Sequence, residues 1–160
     1  VDYVDRLRSD WARTAPELDT APAEVTARIA RIAALVTAGV DEALRDAGIT
    51  RGELDLLSAL RRADRPMRAA EVSTVTQASG AAITKRGDAL ERAGLIERTV
   101  PDRDRRGVLL SLTDQGRAAV DRHIPARTEV ERAALADLDP TEQAQLAALL
   151  SRILTRIDPH

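Results

Sequence analysis

The segment Ser79 to Thr113 constrains this chain more than any other, because it dictates three consecutive elements. Ser79-Gly-Ala-Ala-Ile-Thr-Lys-Arg-Gly-Asp-Ala-Leu-Glu-Arg-Ala-Gly94 begins with a side-chain cap and ends on a glycine stop. Within it Ile83, Gly87 and Leu90 follow i, i+4, i+7 spacing and predict one inward helical face. Leu95–Val100 and Val108–Leu112 read as strands, separated by the arginine-rich turn Asp102-Arg-Asp-Arg-Arg-Gly107. A capped helix followed by a basic hairpin is the plan of a winged helix-turn-helix, whose helix enters the DNA major groove. The turn then offers guanidinium groups to the adjacent minor groove, where negative potential is concentrated.

The distribution of charge fits that plan better than the total does. The chain carries 24 basic and 26 acidic residues, a net charge of -2. Residues 1–50 sum to -3, residues 51–112 to +3 and residues 113–160 to -2, so the basic excess sits around the predicted reading head. With 44% hydrophobic but only 1% aromatic residues, the core must be built from Ala, Leu, Ile and Val. The absence of cysteine excludes disulfides and thiolate metal sites. No apolar run spans a bilayer and no signal-peptide pattern opens the chain, so a cytoplasmic location is expected.

Around the centre the pattern is helical. A short helix over roughly 2–14 holds Tyr3 and Trp11, the only aromatics. Pro22 opens a long helix to about Gly48, with Val25, Ile29, Ile32, Val36, Val40 and Leu44 on one stripe. Thr50-x-x-Glu53 is a capping box for a helix through about Ala63, and a short helix follows Pro66 near Ala69–Val75. Thr113 caps a helix running toward Leu138, with Pro125 inside it; Asp139-Pro140-x-Glu142 opens the last helix, striped by Leu146, Leu149, Leu150, Ile153, Leu154 and Ile157. The expected fold class is mostly α with a small β wing (α+β). Residues 1–48 are expected to form N-terminal dimerisation helices, 49–113 a winged helix-turn-helix domain, and 114–160 C-terminal dimerisation helices. Amphipathic helices at both ends of the chain favour pairing with a second copy.

On the helical wheel Ala81, Thr84, Lys85, Asp88 and Arg92 face outward, a surface light in bulk near its start. Ser79 caps the helix, whose first N–H groups suit a phosphate. Lys85 suits guanine or phosphate, and Thr84 suits a thymine methyl or an acceptor. Arg86 falls at the border of the inward face and is expected, with Ser79, Ala81, Thr84 and Lys85, among the DNA-contacting residues. Arg103, Arg105 and Arg106 form the cationic turn, and Asp104 lies two residues before Arg106, able to orient its guanidinium. Catalysis is not expected: the two histidines are His123 and His160, and no phosphate loop or nucleophile elbow occurs. No metal and no cofactor are implied. The competing reading is a dimeric helical module whose winged core contacts protein instead of DNA.

Three blocks resemble the MarR family of dimeric winged-helix transcription regulators: Ser79-Gly-Ala-Ala-Ile-Thr84, Leu90-Glu-Arg-Ala-Gly-Leu-Ile-Glu-Arg98 and Asp104-Arg-Arg-Gly-Val-Leu-Leu-Ser-Leu-Thr-Asp-Gln-Gly116. The likeness covers about residues 22–157. It implies a homodimer on a palindromic operator in double-stranded DNA, with Arg106 in the minor groove, Asp104 steadying the wing, and repression relieved by a ligand. Gly87 and Ala89 depart from the family pattern, which usually has a bulky aliphatic at the first and often Arg at the second. Further upstream, Asp10-Trp-Ala-Arg-Thr-Ala-Pro-Glu-Leu-Asp19, Gly52–Arg62 and Ile83-Thr-Lys-Arg86 are similar to the urate-responsive PecS-like subgroup. That resemblance implies a small-molecule effector, urate or another aromatic or anionic ligand, met by Trp11, Asp55, Arg86 and Arg98, with residues 1–48 supplying part of the ligand pocket.

Overall fold

The computed structural model describes residues 1–100 and 107–158. Two compact units divide the chain, Val1–Glu42 and Ala43–His160.

In the first unit, α1 (Tyr3–Thr14) is opened by a reciprocal capping box between Asp2 and Asp5. α2 (Ala23–Ala43) follows Pro22, whose carbonyl accepts from the N–H of Thr26. Arg28 on α2 gathers the carboxylates of Asp2 (2.8 Å), Asp5 (2.5 Å) and Glu24 (2.8 Å), and Arg8 also pairs with Glu24, so the two helices are joined by charge. The long helix stops at Ala43, five residues before the expected Gly48. The chain turns instead over 44–48, with the N–H of Ala47 on the carbonyl of Leu44 and Gly48 in the left-handed region at φ 68°.

The second unit is built on α3 (Arg51–Ala63), whose Leu54, Leu56, Leu57 and Leu60 are fully buried. The Thr50–Glu53 capping box forms as its spacing predicts. β1 (Met67–Arg68) leads into α4 (Ala69–Thr76), and α5 (Gly80–Arg92) follows after Gln77, which turns the chain at φ 53°. α3, α4 and α5 pack on one another, closing the helix-turn-helix over Leu54, Val72, Ile83 and Leu90. β2 (Ile96–Thr99) and β3 (Leu109–Leu112) pair antiparallel, Ile96 opposite Leu112 and Arg98 opposite Leu110, and β1 joins the other edge of β3. The two-residue β1 carries too few residues for any alternation and is not foreseeable from the sequence.

α6 (Asp114–Ala134) is capped by the Thr113 hydroxyl and contains Pro125; it ends four residues before the expected Leu138, in a turn whose N–H of Leu138 reaches the carbonyl of Leu135. α7 (Pro140–Ile157) starts on the Asp139–Glu142 capping box with Pro140 in its first turn. None of its residues is buried within the chain.

Candidate nucleic-acid interface and ligand residues

The reading head is α5. The Ser79 hydroxyl accepts from the N–H of Ala82 at 3.2 Å, leaving the first-turn N–H groups of Gly80 and Ala81 outside the intrahelical ladder. At the far end the N–H of Gly94 bonds the Glu91 carbonyl and the N–H of Leu95 the Leu90 carbonyl, a Schellman stop with Gly94 at φ 71°. Ile83, Gly87 and Leu90 are buried, while Ala81, Thr84, Lys85, Asp88 and Arg92 are exposed, as the wheel predicts. The Thr84 hydroxyl donates to the Gly80 carbonyl at 3.0 Å, so toward a groove it presents its methyl group and acceptor lone pairs. Lys85 is exposed, a cation on a face of small side chains.

Two arginines flank this helix, and each rests on a glycine. Arg86 is half-buried and reaches α3, where its guanidinium lies so close to Gly52 that a Cβ there would sit 2.6 Å from it. Arg98 shares the inner face of β2 with Ile96 through the two-residue alternation of a strand. It crosses onto α5 over Gly87, whose added Cβ would meet its Nη2 at 2.7 Å. There Nη1 pairs with Asp88 (2.7 Å) and Glu91 (3.4 Å), and Nη2 donates to the Thr84 carbonyl (3.4 Å). Thr84, Asp88 and Glu91 form one stripe of α5, and Arg86, two residues from Thr84, is turned about 200° from it. The helix therefore stands between the two arginines.

Asp55 lies on α3 one turn after Gly52. It bonds Arg127 of α6 at 2.7 Å and Arg51 at 3.5 Å, and Arg127 also bonds Glu131 at 2.8 Å. Hydrogen bonding to Glu131, with Asp55 adding to it, raises the pKa of Arg127. No sequence signal pointed to Arg127, which is 72 residues from its partner. Trp11, in the first unit, is 46% exposed and lines a groove of 510 Å³ on α1 with Tyr3, Arg6, Leu7, Asp10 and Thr14. Of the four residues expected to meet a ligand, the second unit thus brings Arg86 to the start of α3 near Asp55 and sets Arg98 across α5. Arg103, Asp104, Arg105 and Arg106 lie outside the described residues.

The motif Leu112-Thr-Asp-Gln-Gly116 locks the sheet to α6. The Thr113 hydroxyl donates to the Gly94 carbonyl (2.7 Å) and accepts from the N–H of Gly116 (3.0 Å), while its own N–H bonds the Leu95 carbonyl. Gly116 passes so near that a Cβ would fall 2.0 Å from that same carbonyl oxygen.

A profile of the MarR family matches residues 47–107, which span α3, β1, α4, α5 and β2. The regulator PecS of Dickeya dadantii is 30% identical over 152 residues, covering 94% of this chain and 92% of PecS. The chain belongs to the MarR family. It is accordingly a winged-helix, DNA-binding transcriptional regulator. The transcriptional repressor MdtR of Bacillus subtilis is 28% identical over 70% of this chain and 72% of its own length. Among solved structures, BpsR of Bordetella bronchiseptica, described with regulation of its DNA binding by 6-hydroxynicotinic acid, shares the fold at a TM-score of 0.73. It is 24% identical, over 81% of this chain and 98% of BpsR. Among the described residues no helix is long and apolar enough to cross a membrane.

Proposed function

We propose that this MarR-family protein is a cytoplasmic, non-catalytic repressor that binds a palindromic operator as a homodimer and leaves it when a small anionic or aromatic ligand binds, with urate the ligand of first choice. The observation that carries the reading is the outward face of α5, where Ala81, Thr84 and Lys85 follow a capped N-terminus and leave room for a groove. Ser79 and Lys85 serve phosphates or bases there, Arg86 being drawn instead onto Gly52 of α3, and Arg103, Arg105 and Arg106 with Asp104 serve the minor groove.

Dimerisation is supported by the 18-residue α7, which has no buried residue yet exposes Leu146, Leu149, Leu150, Ile153, Leu154 and Ile157 along one stripe. Repression is supported by the likeness to MdtR, and a ligand by the likeness to PecS over nearly the whole chain and by the small-molecule control named for BpsR. Trp11 offers a half-exposed ring on which a planar ligand can stack. Arg86 offers a guanidinium fork for its anionic edge, one turn of α3 from the acceptor Asp55, whereas Arg98, expected with them, lies across α5 on Gly87.

The test is binding to a duplex selected from a random-sequence pool by the protein itself. Binding is expected to weaken with salt by about 0.9 in log K per log salt for each phosphate neutralised. Arg106→Ala is expected to lose about 1–3 kcal/mol of operator binding with the fold intact. Urate added to the complex is expected to release the DNA and quench Trp11; neither effect at saturating urate removes urate as the ligand.

A further inference from the structure

Arg98 and Gly87 carry a role that goes beyond the operator reading and rests on it. Arg98 does not project outward as Lys85 does; it lies along the Thr84–Asp88–Glu91 stripe, joining β2 to α5 through three acceptors, Asp88, Glu91 and the Thr84 carbonyl. The space it occupies exists because residue 87 has no Cβ. Glycine inside a helix is unfavourable in itself and uncommon without a packing reason. Here the reason is visible: the Nη2 end of the guanidinium lies where an alanine methyl would intrude.

We infer that Gly87 and Arg98 form a seat that fixes the angle between the reading helix and the wing, making Arg98 a positioning residue for operator binding. The seat has two physical effects. A planar fork bonded at Thr84, Asp88 and Glu91 spans two turns of α5 and ties them to the strand that leads to the wing. The same bonds also hold the side chains of Asp88 and Glu91, two exposed residues of α5, in fixed positions at β2. Both effects raise affinity on any operator without contact between Arg98 and DNA.

The test is a double-mutant cycle of Gly87→Ala and Arg98→Ala, read as affinity for the selected duplex across a salt series. An alanine at 87 meets only the mobile end of Arg98, so the helix accommodates it and its thermal midpoint is expected not to fall. Each single variant is expected to bind about tenfold more weakly, a coupling typical of residues in contact, and Gly87→Ala should add no further loss once Arg98 is alanine. The salt slope should match the wild type throughout. Wild-type affinity for Gly87→Ala, multiplying losses in the double variant, or a slope reduced by one phosphate in Arg98→Ala would each overturn the seat. If the wild type selects no duplex, the operator reading is what fails. Amide exchange across Ile96–Thr99 then decides the seat: faster exchange in Gly87→Ala upholds it, and unchanged exchange overturns it.

Discussion

The two units of this chain are held together by different forces. In Ala43–His160, Leu54, Leu56, Leu57, Leu60, Val72, Ile83 and Ile96 are buried with almost no exposure, so burial of apolar surface dominates. In Val1–Glu42 only Val4 and Val40 are buried, and α1 is fixed to α2 by Arg28 among Asp2, Asp5 and Glu24. The reading head thus sits on a rigid apolar body. Trp11, the residue proposed to stack on a ligand, rides on a helix held by solvent-accessible ion pairs, which respond to pH and salt. The contrast teaches where each kind of perturbation will act.

The sharpest way to break the apolar unit is Gly116→Ala. Its new methyl carbon would fall 2.0 Å from the Leu95 carbonyl oxygen and 3.0 Å from the Leu112 side chain, and the backbone carbonyl cannot swing aside without losing its bond from Thr113. We expect a loss of about 3 kcal/mol, read as a lower denaturant midpoint. A loss under a few tenths would mean that the corner between α5, β2 and α6 is pliable.

Arg28→Ala attacks the other unit. It removes the cation that Asp2 and Asp5 share, leaving those two carboxylates facing each other and the Arg8–Glu24 pair to hold α1 on α2. The expected result is release of α1, seen as a change in the fluorescence of Trp11, the single tryptophan, while the denaturant midpoint of the apolar unit stays in place. A shift of both together would show that the units do not respond separately.

Acid should produce the same release more gently. The Asp2 carboxyl is lowered first by the N–H of Asp5 and then by Arg28, and that of Asp5 first by the N–H of Asp2 and then by Arg28. Because both are lowered on folding, their stabilisation is complete above the ordinary aspartate value of about 3.9 and is lost as pH falls below it. Trp11 fluorescence should therefore hold steady from neutral pH and change only below that value. In Arg28→Ala, where α1 is already released, the change on acidification should be largely gone. A transition between pH 5 and 7 would assign the response to other groups.

Much of the fold was legible because it is local. The caps at Thr50, Ser79, Thr113 and Asp139 declare themselves within three or four residues, and so do the inward face of α5 and the stop at Gly94. What stayed hidden depends on contacts distant in sequence. Gly87 reads as a defect of the helix until Arg98 is seen lying on it, and Gly52 is an unremarked residue of α3 until Arg86 arrives there. Asp55 is legible only by resemblance; its partner Arg127 comes from a helix whose face toward α3 no periodicity could register. The ends of α2 and α6 fell short of expectation because apolar spacing continues past them, whereas turns at 44–48 and 135–138 end the helices.

The smallest effect compares two serines on neighbouring helices. Ser79 has its hydroxyl in use, accepting from the N–H of Ala82 at the start of α5, so Ser79→Ala should cost about 1 kcal/mol. Ser58 is 4% exposed in the middle of α3, and among the described residues its Oγ has no hydrogen-bond partner. A buried hydroxyl without a partner is destabilising, and alanine is the better helix former, so Ser58→Ala should gain about 1 kcal/mol. The same substitution thus carries opposite signs at two sites, read as denaturant midpoints moving apart at constant slope. Should Ser58→Ala lower stability instead, its hydroxyl makes a bond in solution that the single chain does not show.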